Sequence, residues 1–108
     1  MAIRSTRLGA RVVTVANSWQ LLGTVPAGET WIIKSIVVQN VTVSVAVAQV
    51  RLNDAVLGVP VRFVQQTIGA DGTFLWSDWV VAPSGVLVEA FADQQPMRYW
   101  VSGTALQG

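Results

Sequence analysis

The chain contains no cysteine and no histidine. Disulfide cross-links, thiolate or imidazole zinc sites, and every nucleophile–base pair built on Cys or His are therefore excluded. Charge is scarce as well. Asp, Glu, Lys and Arg make up 12% of the 108 residues, against about 25% in ordinary soluble domains. A net charge of +1 says nothing about nucleic acid overall, but Arg4, Arg7 and Arg11 are too small a cluster for a sequence-independent binder held through many phosphate contacts. Long apolar runs are missing too. No stretch approaches the ~20 apolar residues of a membrane-spanning helix. The N-terminus is basic but lacks the apolar core of a secretion signal. Neither a nucleic-acid nor a membrane partner is expected.

What is present is apolar and β-branched. Hydrophobic residues are 52% of the chain, twenty of them valine. So few charges cannot solvate a whole surface. Either Gln, Asn, Ser and Thr supply the rest, or other subunits cover much of it. The apolar excess favours the second reading. The length suits one domain, which buries roughly two-thirds of its unfolded surface.

The stretch Val25 to Asn40 organises the chain. Pro26-Ala27-Gly28-Glu29 has the composition of a turn, with proline expected at the second turn position. The near-continuous apolar run after it predicts a long strand covered on both faces. Strict period two would put Trp31, Ile33, Ser35, Val37 and Gln39 on one face and Ile32, Lys34, Ile36 and Val38 on the other. Before it, Arg11–Ala16 and Trp19–Val25 read as short strands, with Gly23 marking a bulge. Residues 1–10 show no period and read as an arm that the domain does not need.

After it, Val41–Leu52 alternates valine with small residues and predicts a strand interior to a sheet or capped by a neighbour. Gly58 and Pro60 interrupt the next apolar stretch, which becomes a strand, at an edge, only near Val61. Gln65–Gly72 reads as a loop. Strands are expected at Thr73–Val81, Val86–Ala92 and Met97–Ser102, separated by the Pro83-Ser84-Gly85 and Asp93–Pro96 turns. About eight short strands at this spacing, with little or no helix, define an all-β fold: an antiparallel β-sandwich spanning residues 11–108.

Chemistry-bearing constellations are few. The acids Glu29, Asp54, Asp71, Asp78, Glu89 and Asp93 lie mostly in turns, and no spacing selects a catalytic pair. There is no phosphate loop and no repeated oxygen ligand set for calcium. No catalytic residue, metal ligand or cofactor is expected. Five tryptophans are many for this length. Trp76 and Trp79, three apart, should face opposite ways, as should Tyr99 and Trp100. Core and subunit interface account for most of these indoles, and a glycan platform is the other use. Arg4, Arg7 and Arg11 form a small basic cluster suited to an acidic partner surface, or else a solvated arm. The candidate partner-binding residues are thus Arg4, Arg7, Arg11, Trp76, Trp79 and Trp100.

Three stretches carry a resemblance: Thr24-Val25-Pro26-Ala27-Gly28-Glu29-Thr30-Trp31-Ile32-Ile33-Lys34-Ser35-Ile36-Val37-Val38-Gln39-Asn40, Trp76-Ser77-Asp78-Trp79-Val80-Val81-Ala82-Pro83-Ser84-Gly85 and Tyr99-Trp100-Val101-Ser102-Gly103. A Val-Pro-Ala-Gly turn leading into a strand that ends in Asn, then a Pro-x-Gly turn and a closing Ser-Gly, is similar to small virion proteins of tailed phages. The resemblance implies a jelly-roll β-sandwich without catalytic residues. It would decorate or cement a capsid, or build part of a tail, after assembly in the host cytoplasm. Its partners would be further copies of itself, as a trimer or dimer, and major capsid or tail proteins. The alternative is a carbohydrate-binding or receptor-binding module that holds a surface glycan on exposed tryptophans.

Overall fold

The computed structural model describes the backbone of residues 2–54 and 60–107, with side chains from residue 7 onward. Eight strands form two four-stranded antiparallel sheets, with no helix among the described residues. They are β1 (Ala2–Val13), β2 (Gln20–Thr24), β3 (Glu29–Asn40), β4 (Ala46–Asn53), β5 (Val61–Ile68), β6 (Thr73–Ala82), β7 (Leu87–Ala92) and β8 (Met97–Gln107). The first sheet has the order β1-β8-β3-β6 and the second β2-β7-β4-β5. Strands pair as β1 with β8, β2 with β7, β3 with β6 and β4 with β5. This is the pattern of one long hairpin folded over on itself. The expected interruption at Gly58 lies outside the described residues.

The two inner faces differ in size. The first sheet contributes Trp31, Ile33, Ile36, Val38, Met97, Tyr99 and Val101; the second contributes Ala46, Ala48, Val50, Val88, Ala90 and Ala92. The small side chains lie along β4 and β7, while Leu22, Val64 and Ile68 add larger buried groups on the outer strands of the second sheet. Tyr99 ties the layers together, its hydroxyl donating to the Phe91 carbonyl at 2.8 Å. Burial, with the Asp93 carboxylate nearby, pushes this phenol far above its ordinary pKa.

Two turns of one kind support one end of β3. Glu29 N–H donates to Pro26 C=O at 3.1 Å and Val86 N–H to Pro83 C=O at 3.2 Å. The third residue of each is a glycine at positive φ, Gly28 at 80° and Gly85 at 86°, where a Cβ is strained. Proline therefore opens each turn instead of holding its second position. The turns also grip each other: Val25 N–H donates to Val86 C=O, Gly85 N–H to Val25 C=O, and the Ser84 hydroxyl to Pro26 C=O. At the other end of β3, Asn40 is fully buried. Its amide nitrogen donates to the carbonyls of Ser44, Ile68 and Gly69, and its oxygen accepts from Thr42 N–H and the Thr42 hydroxyl.

Several expectations are corrected. Residues 2–10 are not an arm beside the sheet. They continue β1, which pairs with β8 along its length, and Leu8 packs against the core. A bulge at Leu8 hid the strand period. The faces assigned to β3 hold only up to Ile33. Lys34 is a bulge against β8, so Trp31 and Ile33 point inward before it and Ile36, Val38 and Asn40 after it. Val41–Val45 is not strand. The chain there crosses between sheets around the Asn40 side chain, and Val43 is 94% exposed. In β4 the alanines face the core, and β4 lies between β7 and β5 as an interior strand. The loop expected from Gln65 begins only after Ile68, and the tail expected after Ser102 is the rest of β8.

Candidate interaction surface

The outer face of the first sheet is built of cross-strand rows. One row is apolar: Ala10 of β1, Trp100 of β8, Val37 of β3 and Leu75 of β6. On one side lies the row Val12, Arg98, Gln39 and Thr73; on the other, Arg7, Ser102, Ser35 and Ser77. Between β1 and β8 this face dips into an open depression of about 370 Å³ lined by Ala10, Val12, Arg98 and Trp100. Toward the far edge, Asp78 and Trp79 of β6 both lie opposite Lys34, a second bulge. Asp78 accepts the Trp79 N–H at 2.9 Å, and the indole projects outward, 67% exposed, with Leu75 at 58%.

The candidate residues do not form one cluster. Arg7 lies in the outer row, whereas the Leu8 bulge turns Arg11 to the level of inward-facing Tyr99. From that edge position Arg11 Nη1 donates to the Leu21 carbonyl of β2 at 3.2 Å, bridging the two sheets. Arg4 pairs with Ala105 of β8, and its side chain lies outside the described residues. Trp76 faces inward and meets Phe63 of β5 edge to face at 5.2 Å, closing the opposite edge. Trp100 is half-buried. Among the named tryptophans, Trp79 alone is exposed.

A cluster that sequence reasoning missed sits on the outer face of the second sheet. Arg51 Nε donates to Glu89 Oε1 at 2.8 Å, and the guanidinium lies 4.0 Å from the Trp19 ring centre. Trp19 in turn packs on Phe91 at 5.3 Å. Alternation in β7 already put Glu89 and Phe91 on one face. Their meeting with Arg51 depends on the pairing of β4 with β7, for which no local signal exists. The cluster satisfies itself, a pair plus a cation–π contact, each worth about 0.5–1 kcal/mol at partly exposed sites. Among the described residues, no group of three or more Asp or Glu is placed to hold a metal ion, and no helix is long and apolar enough to cross a membrane.

What this arrangement offers is a contact surface: an apolar row between two polar rows that carry Arg7 and Arg98, with an exposed indole at the rim. No protein-family model matches the chain, and no curated protein matches it. Among solved structures it is similar to a chain of infectious bursal disease virus, Gx strain, at a TM-score of 0.53 and 11% identity, over 96% of this chain and 32% of that one. The chain thus spans about a third of that chain's length. A Drosophila NLP core, described for pentamer formation and histone binding, aligns at a TM-score of 0.47 and 11% identity over 98% of this chain and 97% of that one. A pentameric capsid protein isolated from metagenomic phage sequences aligns at 0.42 and 17% over 94% and 64%. At such identity the first likeness is one of fold, a β-sandwich of two antiparallel sheets, and the other two are looser.

Proposed function

We propose that this protein is a structural component of a virion, a small jelly-roll sandwich that self-associates and packs against capsid or tail subunits. The observation that carries the reading is the exposed apolar surface on a chain with little charge: Trp79, Leu75, Val81, Val61 and Val12 all stand out in solvent. Such surface marks an interaction site. The folded-hairpin pairing of the strands fits the jelly roll that the sequence resemblance implies, and the likeness to a viral chain supports the setting. Sedimentation velocity at micromolar concentration tests self-association; an oligomer is expected, and a clean monomer counts against it. Cryo-electron microscopy of particles carrying the chain tests the location, with density expected on capsid or tail.

The glycan alternative rests on Trp79, since Trp76 is spent on Phe63 and Trp100 is half-buried. A glycan titration followed by tryptophan fluorescence separates it. A saturable change abolished by Trp79→Ala would favour glycan binding.

A further inference from the structure

The sandwich has two narrow sides with free strand edges. On one, β1 and β2 lie together: a Cβ on Gly9 would come 2.6 Å from the Leu22 carbonyl oxygen, and Arg11 bonds Leu21. On the other, β5 and β6 meet through Phe63 and Trp76. We propose that copies of this chain join head to tail, the β5/β6 side of one against the β1/β2 side of the next. This rests on the self-association reading and specifies its contact.

Exposed charge on the β1/β2 side is all positive, while the β5/β6 side carries both signs. Of the six acids, the two in the exposed class are Asp71 and Asp78, in the turn before β6 and in β6 itself. On the other side, Arg7 and Arg11 of β1 are exposed, with Arg98 on the adjoining β8. The cations nearest β6 are Lys34, opposite the bulge, and Arg62 of β5, which donates to Gln49 Oε1 at 3.0 Å. Both sides also carry bare apolar side chains: Val61, Leu75, Trp79 and Val81 on one, Val12, Val15 and Leu21 on the other. A two-fold contact of β6 with β6 would bring Asp78 toward its own copy, and β1 with β1 would gather arginines. The second costs electrostatic energy, which the head-to-tail contact avoids by setting Asp71 and Asp78 beside those arginines.

Strand direction agrees. The four strands of the first sheet alternate in direction, so β6 of one copy meets β1 of the next antiparallel. Bulges at Leu8 and at Asp78–Trp79 interrupt both edges. They blunt open-ended backbone pairing and leave the join to side chains. A head-to-tail contact whose rotation closes makes a ring.

The test uses two double variants at exposed positions, Leu75→Arg/Trp79→Arg and Arg7→Glu/Val12→Glu. Each alone should sediment as a folded monomer, and an equimolar mixture should sediment faster than either alone, since the altered sides complement each other and the native sides are intact. Either variant assembling alone as the wild type does, or two folded variants that stay monomeric on mixing, overturns the proposal while self-association stands. If the wild type itself is monomeric, the self-association reading fails first. Hydrogen exchange on the wild type, assembled against diluted, decides even where a variant does not fold. Protection is expected at both residues 7–13 and residues 73–82; protection of one side alone overturns the head-to-tail contact.

Discussion

Asn40→Ala should be the most informative single substitution in the core. The Asn40 amide nitrogen lies 2.8 Å from the Ser44 carbonyl and 3.1 Å from those of Ile68 and Gly69. Its oxygen lies 3.0 Å from Thr42 N and 2.7 Å from the Thr42 hydroxyl. One side chain thus fastens the end of β3 to the β3–β4 crossing and to the loop between β5 and β6. Alanine removes all five bonds and leaves Ile68 C=O and Thr42 N–H without these partners in a dry environment. Each buried group left unpaired costs about 1–3 kcal/mol, and local relaxation recovers part of it. A net loss of about 3 kcal/mol is expected, a large share of a total near 5–15 kcal/mol. For a domain of this size that lowers Tm by roughly 10–20 °C. Thermal melts followed by circular dichroism measure it. Thr42→Val should overlap with Asn40→Ala rather than add to it, because both sever the same network. A Tm within about 3 °C of wild type, or full additivity, would show that Asn40 is a passenger of the loop and not its fastener.

Gly28→Val should cost about 1–3 kcal/mol from backbone strain alone, because φ is 80° and nothing lies within 4 Å of a Cβ there. Asp71→Asn, exposed and already at φ 58°, should change stability by no more than about 0.5 kcal/mol; equal melts for the two variants would refute the turn assignment. Gly103→Ala should prevent β8 from closing on β3, since the added carbon would overlap the Ile32 carbonyl oxygen; a soluble variant with wild-type near-ultraviolet dichroism would refute that. Tyr99 is the chain's one tyrosine, and its phenol ionises far less readily folded than unfolded. The stability it contributes is full below about pH 10, the unfolded value, and is lost as pH climbs further. Denaturant melts across that range should steepen downward in the wild type and flatten in Tyr99→Phe. Tyrosinate absorbance rising near pH 10 in the folded protein would contradict this.

The strand set was legible wherever local chemistry carried it. Both Pro-x-Gly turns, the Thr73 start of β6, the shared face of Val86, Val88 and Ala90, and a bulge beside Gly23, at Leu22, could be read from residue type and period. What could not be read was set by contacts distant in sequence. Val41, Val43 and Val45 alternate as a strand would, but Asn40 and Thr42 give this backbone other hydrogen-bond partners, and the valines are left outside. Residues 2–10 lack any period because Leu8 is a bulge, and only β8 reveals the strand. Trp76 and Trp79 were expected to diverge, and they do. That Trp76 would meet Phe63 depends on two sheet edges coming together, which no spacing encodes.

The misread faces of β1 and β3 have one cause. The first sheet is interrupted at nearly one level: Leu8 in β1, Lys34 in β3 and Asp78–Trp79 in β6. Extra residues on neighbouring strands bend and coil a sheet, and those in β1 and β3 shift the faces of their strands. In β3 the shift lets a run apolar on both faces serve one core, with Trp31 and Ile33 inward on one side of Lys34 and Ile36 and Val38 inward on the other. In β1 it separates Arg7 from Arg11, placing one on the outer face and the other across the sheet edge. In β6 period two persists across the bulge, with Phe74, Trp76, Val80 and Ala82 toward the core and Trp79 outward. The irregularities that hid this fold from period-two reading also position Arg7, Arg11 and Lys34. A strictly regular sheet would have put Lys34 on the side of Ile36 and Val38, in the core.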